Sequence, residues 1–295
     1  MTKPQAHVRN QPVHDGCLPM TWNCTHSLSR SIRAALLPTI FLLIGVQQPA
    51  IAQRPAAAVS NTCKDSYSGA APPNHRFVSW DRLAPNIICD QKKIWTFPAR
   101  LKHSRALIPV AAVVAGTVGL ALLDRSDAPY FRGARSWQSF DQGFSGRNTA
   151  LATVLAPVSL YGLGLIGPNS YDQKTALLAG EAAVDAEIVS FVLKDATHRL
   201  RPRAIPPNGN FGDTWYDRPN WTGASGFPSG HTITAFAIAT VIAHRYASHR
   251  WVRYVAYGAA ALIGFSRVTS SAHFPSSVFF GAALGYRIGR VTVLR

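Results

Sequence analysis

Residues 266–277 read "SRVTSSAHFPSS", and they join the end of one apolar stretch to the start of the next. Arg267 closes the first stretch, and His273 lies just before Pro275, a residue that suits the first turn of an α-helix. The segment therefore predicts a short helix–helix connection that carries a guanidinium and an imidazole. An ordinary histidine at a helix start is the alternative, so His273 has to be judged together with the rest of the chain.

Apolar stretches of helical length follow one another from residue 106 onward. No alternating strand pattern of any length competes with them, so the sequence predicts an all-α bundle of six helices. The predicted helices cover residues 106–123, 149–167, 175–200, 231–247, 251–268 and 275–290. In an up-and-down bundle, the end of the third helix, the start of the fourth, the end of the fifth and the start of the sixth lie at one pole.

The N-terminus reads as an export signal. Two arginines precede an apolar run over residues 34–46, and "PAIAQ" at 49–53 supplies small residues at the positions of a cleavage site. We therefore expect a leader over residues 1–52, cleaved after Ala52, and export to the cell envelope. An uncleaved anchor is the alternative.

Residues 53–104 form an N-terminal extension ahead of a helical domain over residues 105–295. Cleavage removes two of the four cysteines and leaves Cys63 and Cys89 in an oxidising compartment, which suggests one disulfide within the extension. Neither cysteine has the spacing of a metal ligand, and no other metal-binding motif is present, so a protein-bound metal is not indicated.

The charge balance favours anionic partners. Thirty Lys and Arg residues stand against 14 Asp and Glu residues, which gives a net charge of +16. The basic residues are scattered between apolar helices, and no nucleic-acid-binding signature accompanies them, so nucleic acid is not the expected partner. Phosphates and lipid headgroups remain as the expected anionic partners.

Two further stretches carry candidate chemistry. In "KDATHRLRP", residues 194–202, Lys194 and Arg201 are seven residues apart and are predicted to project from one face of the third helix as an anion clamp. A favourable interaction of basic residues with the helix dipole is the alternative. In "GFPSGHT", residues 226–232, a serine is placed to cap the fourth helix, whose first amides can bind phosphate. A routine cap with an incidental histidine is the alternative there.

Together, "K-x6-RP", "PSGH" and "SR-x5-H" resemble the three signature blocks of the type 2 phosphatidic acid phosphatase (PAP2) superfamily, which also contains vanadium haloperoxidases. The likeness covers roughly residues 105–295. It implies a metal-free and cofactor-free phosphohydrolase in which His273 attacks phosphorus and His231 protonates the leaving group. The phosphate-binding residues that it implies are Lys194, Arg201, Ser229, Gly230 and Arg267.

The third block departs from the family pattern, which usually continues as His-x3-Asp. Ser277 stands where that aspartate belongs, and serine brings no charge to hold the imidazole, so a weakened enzyme is expected. Three arrangements remain open. Ser277 can orient His273 directly or through water, a carboxylate such as Glu181 or Asp185 can take over, or the chain can bind phosphate without turning it over.

Two rival functions use the same cationic site. A vanadium-dependent haloperoxidase would hold vanadate there as its cofactor, and a non-catalytic protein would only bind phosphate or phospholipid. The leaving group is open, because phosphomonoesters, lipid phosphates and diphosphates present the same anion. The first two helices carry 18 and 19 residues without a charge, close to the span of a bilayer. We expect a periplasmic protein, either a folded bundle that lies wholly in the periplasm and leans on the membrane through its first two helices, or a bundle that is integral in the inner membrane.

Overall fold

The computed structural model describes residues 78–101, 106–212, 214–215 and 225–293, so the predicted leader lies outside the described residues. Within these ranges the chain is helical and contains no strand, which confirms the prediction of an all-α bundle. The helices are α1 Leu83–Arg100, α2 Leu107–Gly133, α3 Gln138–Gly143, α4 Gly146–Ile166, α5 Ser170–Thr197, α6 Gly230–Arg245, α7 Arg250–Thr269 and α8 Pro275–Arg287. A π-helical segment, Ile288–Val293, continues α8.

The six predicted helices correspond to α2 and to α4 through α8, but one predicted boundary is wrong in a way that matters. Helix α5 ends at Thr197, and His198 adopts a left-handed conformation with φ of 43°. The chain therefore turns away before Arg201, which lies in extended backbone. The prediction that Lys194 and Arg201 share one helix face is wrong, because the helix stops between them.

Helix α6 lies at the centre of the bundle. It packs against α5, α7 and α8, and most of its residues are buried. Its contacts with α5 form a hydrophobic cluster of small and branched side chains, which let the two helices pack closely. The buried members of this cluster include Ala179, Ala182, Ala186, Ile233, Ala237 and Val241.

Helix α8 and its π-helical continuation approach α6 along a row of glycines spaced four residues apart. A Cβ atom placed at Gly281, Gly285 or Gly289 would lie 3.0 Å or less from a backbone carbonyl oxygen of α6 or of its N-cap residue. At Gly285 that oxygen belongs to Ile233. Glycine is therefore required by the helix spacing, as in the close small-residue contacts of membrane helices.

Helix α1 packs against α5 and the C-terminal π-helical segment. Asn86 Nδ2 donates to Glu181 Oε1 at 2.8 Å, and Gln91 Nε2 donates to Asp185 Oδ1 at 2.8 Å. The two acids that the sequence offered as candidates to orient His273 thus bond to the extension.

Cys89 of α1 is buried and disulfide-bonded. Cys63, the partner predicted from the sequence, lies outside the described residues, so the pairing stays a prediction.

Helices α2 and α4 expose their apolar side chains. The segments Leu107–Gly133 and Arg135–Ile166 are long and apolar enough to cross a membrane, and only 6% and 11% of their most apolar windows are buried within the protein. Apolar faces of this length, exposed to this extent, would be costly in water.

We predict that Gly285→Ala destabilises the bundle by about 1–3 kcal/mol, because the added methyl group would overlap the Ile233 carbonyl. Gly258→Ala on α7 is the matched control, since a Cβ there meets nothing within 4 Å. Thermal unfolding of the purified variants in detergent measures the effect. Equal unfolding midpoints for the two variants would show that α8 can move away from α6 at no cost.

Candidate active site

The loop that precedes α6 is tied to the turn that follows α5. Gly226 N–H donates to the Arg199 carbonyl at 2.6 Å, and the Thr197 hydroxyl donates to the Phe227 carbonyl at 2.7 Å. The first turn of α8 joins the same cluster, because Ser229 N–H donates to the Ser277 carbonyl at 3.2 Å. The three sequence blocks therefore meet at one pole of the bundle.

His273 lies two residues before the start of α8 and is only 4% exposed. Its Nδ1 atom is 2.8 Å from the carbonyl oxygen of Gly226. Since a carbonyl oxygen can only accept, Nδ1 must carry the proton of this hydrogen bond. The Nε2 atom of the neutral ring then presents its lone pair.

The surroundings of His273 keep its ring neutral. Burial lowers the pKa of His273 well below its ordinary 6.5, and the positive charges of Arg201 and Lys194 lower this pKa further, as does His231. The hydrogen bond to Gly226 acts in the opposite direction and does not cancel these effects. The same interactions show that the structure brings these predicted residues close to His273.

His231 lies in the first turn of α6, and its Nε2 atom is 3.0 Å from the carbonyl oxygen of Gly146. By the same argument Nε2 carries a proton, so Nδ1 is the nitrogen left to exchange a proton with a ligand. Burial lowers the pKa of His231, the Gly146 hydrogen bond raises it, and the charge of Arg267 lowers it again. Helix α4 therefore contributes to the site through a backbone carbonyl.

The cations are held by contacts from several helices. A Cβ atom at Gly230 would lie 2.9 Å from Lys194 Nζ, so glycine lets the start of α6 approach this ammonium group. Arg267 is 3% exposed, and its Nη2 donates to the Ser266 hydroxyl at 2.9 Å and to the Phe144 carbonyl. The positions of these groups fit an anion at the start of α6.

Ser229 occupies the predicted N-cap position of α6 but does not cap the helix through its side chain. Its hydroxyl pairs with the Thr232 hydroxyl at 2.8 Å, and its own N–H donates to the Ser277 carbonyl. The amides offered to an anion are therefore those of Gly230 and the following residues, since the first N–H groups of a helix have no intrahelical partner.

Ser277 is fully buried, and its hydroxyl accepts from Arg199 Nη1 at 3.4 Å. The partner at His273 Nδ1 is the Gly226 carbonyl. A backbone group thus takes the orienting position that the sequence comparison assigns to a carboxylate.

Sequence reasoning missed Asp124 and Arg199, which form an ion pair at 2.7 Å with each side chain 1% exposed. Asp124 lies on α2, which is far from the three motif blocks along the sequence although Asp124 contacts one of them in the fold. The signal available in the sequence was a single acid at the end of a long apolar run, a position where a charge needs a buried partner.

Fold and site together define a helical bundle with two imidazoles set among cations. Within the described ranges, no three His, Cys, Asp or Glu side chains are grouped so that they could hold a metal ion. Positive charge, helix N-terminal amides and an unprotonated Nε2 atom suit a phosphate group.

Residues 175–295 match the PAP2 superfamily, a segment that makes up less than half of the chain. The chain is 41% identical over 75 residues to a lipid A 1-phosphatase of Porphyromonas gingivalis, a match that covers 25% of this chain and 17% of that protein. A crystal structure of a transmembrane PAP2-type phosphatidylglycerolphosphate phosphatase from Bacillus subtilis aligns over 72% of this chain and 92% of that one. The TM-score is 0.40 and the sequence identity is 20%.

Proposed function

We propose that the chain is a metal-independent phosphatase that hydrolyses phosphate esters through a phosphohistidine at His273. The observation that carries the proposal is the hydrogen bond from His273 Nδ1 to the Gly226 carbonyl, which leaves Nε2 unprotonated beside the cations. The match of residues 175–295 to the PAP2 superfamily and the likeness to a protein named lipid A 1-phosphatase support the same reaction class.

In the first step, the phosphate group is held by Lys194, Arg201 and Arg267 and by the amides at the start of α6. These groups neutralise charge on the equatorial oxygens, which is the main requirement of phosphoryl transfer. His273 Nε2 forms a bond to phosphorus while the bond from phosphorus to the leaving oxygen breaks. His231 delivers its proton to that oxygen.

In the second step, water attacks the phosphohistidine and the P–N bond breaks, which releases inorganic phosphate. His231, now neutral, accepts a proton from the attacking water and returns to its starting state. The proposed cycle needs no metal and no other cofactor, because the cations and the imidazole supply both charge and nucleophile.

The protonation of His231 depends on the substrate. Burial lowers the pKa of His231 in the empty site, and an arriving phosphate dianion favours the charged imidazolium. Binding of the phosphate substrate therefore promotes the protonation of His231, the proposed general acid. The neutral His273 ring does not compete for that proton, since its own pKa is lower still.

A lipid phosphate in the cell envelope is the proposed substrate class. The exposed apolar faces of α2 and α4 suit contact with lipid, and the connection between these helices lies at the active pole, where Phe144 accepts from Arg267. A phosphorylated headgroup at the membrane boundary could then reach the site. The relative named lipid A 1-phosphatase is consistent with such a substrate.

We predict that His273→Ala abolishes release of inorganic phosphate from both lipid and water-soluble phosphate esters, because no other group supplies the nucleophile. His249→Ala, at an exposed histidine before α7, is the matched control and should keep wild-type activity. Colorimetric phosphate release from purified protein measures both. Wild-type turnover by His273→Ala would exclude His273 as the nucleophile.

We predict an acidic pH optimum for kcat/KM. The reactive form has neutral His273 and protonated His231, and both pKa values lie below 6.5, that of His273 further below. Activity should therefore peak on the acid side of pH 6.5 and fall as the pH rises through the pKa of His231. His231→Asn should lower the rate by roughly 10²–10⁴ and remove this fall. An alkaline limb that persists in His231→Asn would assign the titration to another group.

We predict that the protein stays in the membrane fraction after alkaline carbonate extraction and is released by detergent. Leu155→Arg, on the exposed face of α4, should weaken this retention, since a charge at the bilayer centre costs about 2.5–3.5 kcal/mol on insertion scales. Ser248→Arg, in the exposed turn between α6 and α7 and outside both candidate spans, is the control. Release of the wild-type protein by carbonate would contradict the membrane assignment.

A further inference from the structure

Asp124 and Arg199 form the centre of a buried polar cluster that connects helix α2 to the first and third sequence motifs. Arg199 Nη2 donates to Asp124 Oδ2 at 2.7 Å, and both side chains are 1% exposed. Asp124 Oδ1 also accepts from Ser276 N–H at 3.2 Å, and Oδ2 accepts from the Ser276 hydroxyl. The carboxylate therefore joins α2 to the turn after α5 and to the first turn of α8.

The Arg199 guanidinium is held by aromatic and polar side chains. Its central carbon lies over the rings of Phe274 and Trp215, 4.0 Å and 4.4 Å from the ring centroids. Nε donates to Thr214 at 3.2 Å, and Nη1 donates to Ser276 at 2.8 Å. Among these partners Asp124 supplies the negative charge that a buried guanidinium needs.

A chain of two hydrogen bonds leads from Arg199 to the proposed nucleophile. The Arg199 carbonyl accepts from Gly226 N–H at 2.6 Å, and the Gly226 carbonyl accepts from His273 Nδ1 at 2.8 Å. Phe274, which follows His273, is fully buried against the Arg199 guanidinium. A shift of Arg199 would therefore move both the acceptor of His273 and the residue next to it.

We propose that Asp124 is a positioning residue of the active site. It fixes Arg199, and through Arg199 and Gly226 it holds the His273 ring with Nε2 aimed at the bound phosphate. Asp124 reaches the reacting atoms only through these residues. This inference rests on the proposed phosphatase activity and adds helix α2 to the machinery of that site.

The cluster also explains how a serine is accommodated at position 277. The Ser277 hydroxyl lies 3.4 Å from Arg199 Nη1, on the same guanidinium that Asp124 neutralises. One carboxylate is enough to balance one guanidinium, and here α2 supplies it. A carboxylate at 277 should therefore be able to replace Asp124, which gives the proposal a rescue test.

The experiment compares Asp124→Asn, the double variant Asp124→Asn with Ser277→Asp, and Asp127→Asn as a control on the same helix. Asp124→Asn should lower kcat by up to about 10²-fold, the size expected when a reactive group is displaced by about an ångström. Inhibition by vanadate should change little, because Lys194, Arg201 and Arg267 are untouched. The double variant should recover most of the lost kcat, and Asp127→Asn should match the wild type.

Wild-type kcat in Asp124→Asn, or no recovery in a folded double variant, would overturn the proposal. Equal losses of kcat and of vanadate affinity would also overturn it, since they would indicate general disruption of the site. Thermal unfolding monitors each variant, and Asp124→Glu serves if Asp124→Asn does not fold. Asp124→Glu keeps the negative charge but displaces the Arg199 guanidinium. Wild-type kcat in Asp124→Glu would therefore contradict the proposed positioning role of Asp124.

The outcome is separable from a failure of the proposed function. An inactive wild-type protein, or an active His273→Ala variant, would reject the phosphatase mechanism itself. An active wild type with an inactive His273→Ala variant and a fully active Asp124→Asn variant would reject the positioning role alone.

Discussion

The hydrogen bond between His273 Nδ1 and the Gly226 carbonyl sets the chemistry of the active pole. Because a carbonyl oxygen only accepts, this contact selects one tautomer and turns the unprotonated Nε2 away from the backbone. Burial and nearby cations then keep the ring neutral. The acceptor is itself fixed, since the Gly226 N–H donates to the Arg199 carbonyl. Orientation of the nucleophile is thus built into the backbone of the loop before α6.

The bundle makes this loop geometry possible through close helix packing. Helix α6 is surrounded by α5, α7 and α8, and glycines on α8 allow backbone contact with it. Gly230 likewise admits the Lys194 ammonium to the first turn of α6. Small residues therefore bring the amides, the ammonium group and the imidazoles within the reach of one phosphate, while the larger apolar side chains of α2 and α4 face outward.

The sequence predicted the helices and the residues of the cluster better than it predicted their contacts. Apolar stretches of helical length located the helices that form the bundle, and motif spacing selected residues that the fold brings to one pole. The end of α5 was misplaced because a left-handed His198 has no marker in the sequence. The Gly226 carbonyl could not be predicted, since backbone acceptors leave no residue-type signal. Asp124 pairs with Arg199 across 75 positions, a separation that no local pattern can bridge.

The most direct test of this account is to trap the covalent intermediate. The purified wild-type protein would be mixed with a labelled phosphate ester, quenched in alkali and digested, and the labelled peptide would be sequenced. The account predicts an alkali-stable, acid-labile phosphate on His273. A label on another residue, or rapid turnover with no phosphoenzyme at any quench time, would contradict it.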